Sequence, residues 1–170
     1  MSTTVRRGDR TDVDLLLALF DEAVAWMVAR GQPDQWGTEP WSTQPKRVAR
    51  VRGLLDAGEL WIAEVAGVGA GALVVGAHPQ KYVPPVDEPE RYVHLLITSR
   101  AKAGLGIGST LLAKAREIAR ADGVPLLRVD CWAGGGGRLV DYYVRNGFTP
   151  SGTFDVDGWP GQILEQRLTG

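Results

Sequence analysis

The sequence predicts a mixed α/β (α+β) fold in one domain. The hydrophobic periodicity switches several times between 3.6 residues, which is typical of helices, and 2 residues, which is typical of strands. Frequent glycines (22) and prolines (10) separate these segments. The chain has 170 residues, of which 44% are hydrophobic, so it can build one substantial core. We therefore expect residues 1–170 to form a single domain.

Composition and charge argue against several classes of protein. The 19 basic and 20 acidic side chains give a net charge of −1, so no overall field would recruit nucleic acid or an anionic membrane. One cysteine and two histidines are too few for a disulfide framework or a Cys/His zinc site, and no metal is expected. The sequence shows neither a spanning apolar run nor an apolar signal segment. We expect a soluble, cytoplasmic protein.

The first third of the chain is predicted to contain two helices and a bulky loop. Thr11 is a candidate cap for the first helix, with Asp14 three residues later, and Gly31 supplies a stop. Residues 32–43 contain two prolines, one glycine and two tryptophans, which predicts a loop. Pro45 is suited to the first turn of the second helix.

The middle of the chain is predicted to form strands. Two short apolar runs, 60–65 and 72–77, are separated by glycines at 67, 69 and 71, which indicates a β-hairpin and its turn. The proline-rich segment 79–91 is expected to be an exposed connection. Residues 92–98 (YVHLLIT) predict a further strand.

The remainder alternates helices and strands. A glycine-containing loop leads into a helix whose apolar residues share one face and which ends at Gly123. Residues 126–132 predict a buried strand, and a helix is expected around 139–146. Segments 148–154 and 162–168 are predicted to close the domain as an antiparallel pair.

The glycine loop before the third helix is the most informative segment. Gly104, Gly106 and Gly108 carry no side chains, and the helix that follows presents unpaired N–H groups and the positive end of its dipole. This arrangement favours an anion such as a phosphate. The glycine spacing matches neither the phosphate loop of nucleoside triphosphatases nor the Rossmann fingerprint. The alternative is that these glycines only form a tight turn.

Two segments carry a resemblance to a known family. The stretch KAGLGIGSTLLAKA (102–115) resembles the acetyl-CoA pyrophosphate loop of GNAT acetyltransferases, with the pattern [RQ]-x-x-G-x-[GA] at the start of a helix. Residues 127–132, followed by LVDYYVRNGF (139–148), resemble the family's fifth strand and its helix ending Y-x-x-x-G-F. The resemblance covers nearly the whole chain. It implies a mixed, mostly antiparallel central sheet flanked by helices, with a central strand, glycine loop and helix forming the cofactor site.

The resemblance implies that acetyl-CoA is the co-substrate and that no metal takes part. The backbone of Leu96, Ile97 and Thr98 would then pair with pantetheine as if adding a strand. The pyrophosphate would lie against the loop residues Ala103, Gly104, Leu105, Gly106, Ile107, Gly108 and Ser109. Two departures from the family pattern stand out. Ala103 replaces its Arg or Gln, and its frequent asparagine falls in the run Gly134–Gly137.

Three side chains are candidates for proton transfer. Tyr143 matches the family tyrosine that approaches the CoA sulfur, where a phenol can protonate a departing thiolate. Its neighbour Tyr142 is expected to pack in the core. His94 and Asp130, on two predicted strands, are candidate bases for the acceptor amine. The structural alternatives are packing for Tyr143, a hydrogen-bonded strand position for His94, and an arginine or backbone partner for Asp130.

The acceptor is expected to be an amine of a small molecule or a peptide. Trp36, Trp41 and Trp132 could hold a cationic amine by cation–π contacts, and the alternative is that they only pack. Four basic side chains of the second helix are interpreted as a solvated face. They are Lys46, Arg47, Arg50 and Arg52. The resemblance is also compatible with a homodimer.

The leading hypothesis is an N-acetyltransferase that transfers an acetyl group from acetyl-CoA directly to a primary amine. One alternative is a non-catalytic module that binds or senses acyl-CoA on the same fold, which Ala103 and the Gly134–Gly137 run would suit. Another is a protein interaction domain in which exposed tryptophans and the proline-rich loop bind a partner.

Overall fold

A computed structural model describes residues 2–169 and contains one seven-stranded sheet, with the strand order β1-β2-β3-β4-β5-β7-β6. Every neighbouring pair is antiparallel except β4 and β5, which are parallel. The sheet is therefore mixed and mostly antiparallel, as the resemblance implies. The strands are β1 (Thr3–Arg7), β2 (Glu59–Val65), β3 (Val68–Gly76), β4 (Arg91–Thr98), β5 (Leu126–Trp132), β6 (Thr149–Val156) and β7 (Trp159–Arg167).

Helices cover both faces of this sheet. They are α1 (Val13–Ala29), α2 (Pro45–Ala57), α3 (Ile107–Ala121) and α4 (Arg138–Arg145). On one face, apolar side chains of α1 and α2 pack against β2, β3 and β4, as Leu16, Val51 and Ile62 illustrate. On the other face, α3 and α4 pack against the sheet through side chains such as Leu111 and Tyr143. Burying one apolar face of each helix in this way supplies most of the stabilisation.

The amino terminus differs from the sequence-based prediction in two ways. Residues 3–7 form an edge strand that pairs with β2, although their sequence, TTVRR, is polar. The capping residue is Asp9 rather than Thr11. The Asp9 carboxylate accepts hydrogen bonds from the Thr11 backbone N–H at 2.9 Å and from its hydroxyl. A short 3-10 turn, Arg10–Asp12, then leads into α1.

The β2–β3 hairpin turns at Ala66 and Gly67, so Gly69 and Gly71 lie inside β3 rather than in the turn. A Cβ atom at Gly69 would come within 2.5 Å of the Leu15 side chain, and one at Gly71 within 2.8 Å of Ile107. Glycine is required in this strand because helices on both faces approach it closely. The prediction of a long glycine turn was therefore wrong.

Strands β4 and β5 part from each other along their length. Their parallel pairing covers Arg91–Val93 and Leu127–Val129, whereas β4 remains paired with β3 as far as Thr98. A bulge in β4 inserts His94 between the pairs Val75–Val93 and Val74–Leu95. The second half of β4 thus leaves one backbone edge beside a gap in the sheet. This gap positions the candidate site.

Candidate active site

A cavity of about 570 Å³ occupies the gap between β4 and β5. The second half of β4 and the end of β5 form its floor, and α1, α2, α4 and the loop after α1 form its walls. A concave, largely apolar space of this size with a few polar groups is typical of a small-molecule site. All three candidates for proton transfer, His94, Asp130 and Tyr143, line it.

The start of α3 lies after the glycine loop and presents backbone donors. Gly106 is the N-cap residue and has φ +70°, a left-handed conformation in which glycine carries no steric penalty. Within the described chain, no side chain caps this helix, so its first N–H groups are available to an anion. The sequence-based expectation of an uncapped helix start after the loop matches this geometry.

The predicted cofactor residues fall into two groups. Leu96, Ile97 and Thr98 line the cavity from β4. The loop from Ala103 to Ser109 lies outside the cavity lining and is mostly exposed, except for Ile107 and Gly108. The Ser109 hydroxyl donates to Asn146 Oδ1 at 2.9 Å, which ties the start of α3 to the end of α4.

Two adjacent tyrosines of α4 line the cavity. Tyr143 is buried, and its ring packs edge-on against Phe148 with centroids 5.7 Å apart. Burial raises the pKa of Tyr143 well above its ordinary value, so its hydroxyl keeps its proton at neutral pH. Tyr142 was expected to pack in the core. It is half-buried and packs against the core, and it also lines the cavity, with its hydroxyl where a side chain at Gly108 would lie.

Asp130 is connected to Tyr92, which sequence reasoning did not single out. The Tyr92 hydroxyl donates a hydrogen bond to Asp130 Oδ2 across the parallel pair of strands. Burial raises the pKa of Asp130, because removing water disfavours the charged carboxylate. The hydrogen bond from Tyr92 acts in the opposite direction. Asp130 is therefore a carboxyl group with increased proton affinity at the cavity surface.

His94 has one ring nitrogen free to accept a proton. Its Nε2 lies 2.8 Å from the His78 carbonyl oxygen, so Nε2 must be the N–H donor of this pair. Nδ1 is then unprotonated, buried, and without a hydrogen-bond partner in residues 2–169. Burial lowers the pKa of His94, which keeps the ring neutral at pH 7. The Tyr92 and His94 rings are 5.3 Å apart, so Tyr92 neighbours both candidate bases.

The three predicted acceptor tryptophans all line the cavity, with different degrees of burial. Trp41 is 3% exposed and stacks on Phe20 with centroids 4.2 Å apart, which makes it a core residue with one edge at the cavity. Trp36 is half-buried and packs edge-on against Trp41. Trp132 is buried beneath Gly134 and Gly135, where any larger residue would overlap its ring.

Cys131 also lines the cavity, but its thiol is not suited to nucleophilic attack. Burial raises its pKa to about 12, so the reactive thiolate is scarce at neutral pH. Across residues 2–169, no three His, Cys, Asp or Glu side chains come together in a way that could hold a metal ion. None of the helices in residues 2–169 is long and apolar enough to cross a membrane.

Further residues that were not predicted as site residues line the cavity. Arg50, interpreted as part of a solvated face, is indeed exposed, but it also lines the cavity beside Trp41. Tyr82 and Trp159 line it from the proline-rich connection and from β7. The Trp159 indole N–H donates to the Gln35 carbonyl at 2.9 Å, which fastens the loop after α1 to β7. Only the helical spacing of Arg50 with Gly53, Leu54 and Ala57 could have indicated from sequence that these residues share the face of α2 next to the cavity.

The fold thus combines a mixed sheet whose central strands part, an uncapped helix start after the glycine loop and a buried tyrosine at the cavity. The profile of the Acetyltransferase (GNAT) family matches residues 18–148 of this sequence. The chain therefore belongs to the GNAT acetyltransferase family.

Solved structures share this fold at low sequence identity. The PaiA N-acetyltransferase from Thermoplasma acidophilum, in complex with coenzyme A, has a TM-score of 0.72 at 18% identity, covering 98% of this chain and 99% of that one. A GNAT family acetyltransferase from Listeria monocytogenes 4b F2365 has a TM-score of 0.71 at 24% identity, and the match covers 98% of this chain and 95% of that one. YncA of Salmonella typhimurium, an acetyltransferase solved with its cofactor acetyl-CoA, has a TM-score of 0.67 at 17% identity, and the match covers 100% of this chain and 96% of that one. No curated protein matches the sequence.

Proposed function

We propose that this protein is an N-acetyltransferase that transfers an acetyl group from acetyl-CoA directly to a primary amine. The observation that carries the proposal is that one cavity holds the free edge of β4, the protonated Tyr143 hydroxyl and two candidate bases, His94 and Asp130. Neighbours of the same fold were solved with coenzyme A and with acetyl-CoA.

The chain offers matching groups for each part of acetyl-CoA. The β4 backbone at Leu96–Thr98, left unpaired by β5, would hydrogen-bond the pantetheine amides as an added strand. The N–H groups at the start of α3 would bind the pyrophosphate. Arg100, Arg138 and Arg145 line the cavity and would add positive charge for the phosphates, and the buried Arg100 Nε has no partner within residues 2–169.

Proton transfer at both ends of the reaction can be assigned to this chain. The acceptor amine must lose a proton, and His94 Nδ1 or the Asp130 carboxylate would receive it, directly or through water. The neutral amine nitrogen forms a bond to the acetyl carbonyl carbon as the C–S bond of the thioester breaks, and the nitrogen then releases its second proton to solvent. Tyr143 then donates its proton to the departing thiolate and is reprotonated from solvent. The products are the N-acetylated amine and the free CoA thiol.

The direct route is favoured over a covalent acetyl-enzyme. Cys131 is the only cysteine of the sequence, and its raised pKa of about 12 leaves little thiolate. A tyrosine hydroxyl that remains protonated is instead suited to a leaving thiolate, whose conjugate acid has a pKa of about 8.5 in the free amino acid.

A calorimetric titration with acetyl-CoA tests the cofactor part of the proposal. The wild-type protein is expected to bind saturably. Gly106→Glu places a charge and a strained backbone at the start of α3 and is expected to weaken binding at least about tenfold. Gly123→Glu is the matched control, because Gly123 has φ +68° at the other end of α3 and open space around it. Equal binding by all three proteins would contradict the proposed site.

A binding or sensing module is the second candidate, and two observations favour it. Ala103 offers no side-chain hydrogen bond to the cofactor at the loop start, and neither does the run Gly134–Gly137 before α4. Saturable acetyl-CoA binding without transfer to any of a broad panel of amines would select this candidate.

A further inference from the structure

Arg50 is a cavity cation that the transfer chemistry does not use. Arg50, Gly53, Leu54 and Ala57 are spaced as one face of α2, and all four line the cavity. The other basic residues of this helix do not line it. Arg47 lies over the Trp41 ring at 4.4 Å, and Arg52 borders a separate depression.

The Arg50 guanidinium is not neutralised within the described chain. No carboxylate of residues 2–169 lies within ion-pairing distance of it, and its side chain is exposed. Its charge nevertheless acts on the cavity, because it lowers the pKa of both Asp130 and Tyr82, against the larger effect of burial. Arg50 is thus a free cation facing the same space as Asp130.

Two opposite charges therefore line the acceptor part of the cavity, each from a different element. Asp130 is the only carboxylate of the cavity lining within residues 2–169, and it comes from β5, whereas Arg50 comes from α2. A ligand with an ammonium group and a carboxylate complements both. An amine without a carboxylate would leave the guanidinium without a partner.

The cavity is open beside α2. No heavy atom lies within 4 Å of the position of a Cβ atom at Gly53, one turn from Arg50. Aromatic rings form the surrounding walls. They belong to Trp36, Trp41, Tyr82 and Trp159.

We propose that the acceptor is an amino acid with an apolar side chain, whose carboxylate is bound by Arg50 and whose amino group faces Asp130 and His94. The side chain would occupy the aromatic space next to Gly53. This inference rests on the proposed acetyltransferase function and names its substrate class. The acetyl group moves from the thioester sulfur to the amino nitrogen, which gives an N-acetyl amino acid and free CoA thiol.

The test compares each amino acid with the amine that lacks only its carboxylate. The pairs are leucine with isoamylamine, phenylalanine with phenethylamine, and methionine with 3-(methylthio)propylamine. Release of CoA thiol gives kcat/KM for each, and the ratio within a pair measures recognition of the carboxylate. The proteins are the wild type, Arg50→Gln, Arg50→Lys and the control Arg52→Gln, which removes the same charge from the same helix outside the cavity.

The wild type and Arg52→Gln are expected to prefer the amino acid by about tenfold or more, the size of one charge-assisted hydrogen bond. Arg50→Gln should reduce the ratio to about one, and Arg50→Lys should keep part of it, with acetyl-CoA affinity unchanged throughout. A preference for the carboxylate-free amines, or a ratio that Arg50→Gln leaves intact, would overturn this inference alone. Absence of transfer to every compound would overturn the proposed function and this inference together.

Discussion

At the scale of single residues, Tyr143 is the most specific element of the proposed chemistry. Tyr143→Phe removes one oxygen and retains the ring that packs against Phe148. We predict a fall in kcat of about 100-fold, because the thiolate loses its proton donor. The acetyl-CoA dissociation constant should change by less than about twofold, no more than the effect expected from losing one weak contact. Thiol release and calorimetry measure the two quantities, and unchanged kcat would remove Tyr143 from the mechanism.

Asp130 links function to stability at the same scale. Because burial raises its pKa, the folded state holds the Asp130 proton more tightly than the unfolded state does. The stabilising effect of that proton is full below the unfolded value of 3.8 and is lost as the pH rises through the folded value. At neutral pH the ionised, buried carboxylate therefore costs stability.

Asp130→Asn should accordingly raise the Tm at pH 8 and lower kcat/KM. Asparagine keeps the shape and can still accept the Tyr92 hydrogen bond. A gain of about 1 kcal/mol corresponds to roughly 2–4 °C in a chain of this size. The difference from wild type should shrink as the pH falls toward 3.8, and thermal unfolding across this range measures it. Exposed Asp34→Asn is the control, and a lower Tm for Asp130→Asn at pH 8 would refute the argument.

At the scale of elements, α3 and α4 meet where Gly108 faces Tyr142. Gly108→Ala places a methyl group against the Tyr142 hydroxyl, and overpacking of this kind costs about 1–3 kcal/mol. We predict a lower Tm and weaker acetyl-CoA binding. Adding Tyr142→Phe removes the overlapping oxygen and leaves the ring carbon 3.1 Å away, so the double variant should recover part of the loss. Strict additivity of the two changes in a denaturant titration would show that the two residues do not interact.

The elements that the sequence predicts best are those with strong local signals. Strand β5 has the predicted bounds, and α3 begins at the predicted loop, because a continuous apolar run and an amphipathic helix after glycines are local patterns. Strand β1 was missed because its polar residues gain their structure by pairing with β2. The glycines of β3 were assigned to a turn because the sequence does not show why glycine is needed there. They make room for Leu15 and Ile107, which approach from helices distant in sequence.

The candidate site shows the same division. The motif resemblance selected Tyr143 and the loop at the start of α3 as candidates, and general chemistry suggested His94 and Asp130. The hydrogen bond from Tyr92 to Asp130 joins residues 38 positions apart in sequence. It depends on the pairing of β4 with β5. The position of the exposed Arg50 at the cavity depends on how α2 packs. Neither relation is contained in a local pattern.

At the scale of the whole molecule, a ligand that binds only the folded state must stabilise it. Acetyl-CoA at 100 times its dissociation constant should add about 2.7 kcal/mol to the free energy of unfolding. For a chain of this length that corresponds to an increase in Tm of roughly 5–10 °C. Thermal unfolding with and without acetyl-CoA measures this shift. Gly106→Glu should lose most of it and Gly123→Glu should retain it; the same shift in both variants would place the cofactor elsewhere.

The central claim is that this cavity transfers acetyl groups to an amine, and amine-dependent release of CoA thiol tests it most directly. Purified protein is mixed with acetyl-CoA, and thiol formation is followed before and after addition of the amino acids and amines named above. We predict slow release without acceptor, saturable acceleration with it, and little acceleration in Tyr143→Phe. Saturable acetyl-CoA binding with no acceleration by any acceptor would contradict the claim and identify the protein as a binding module.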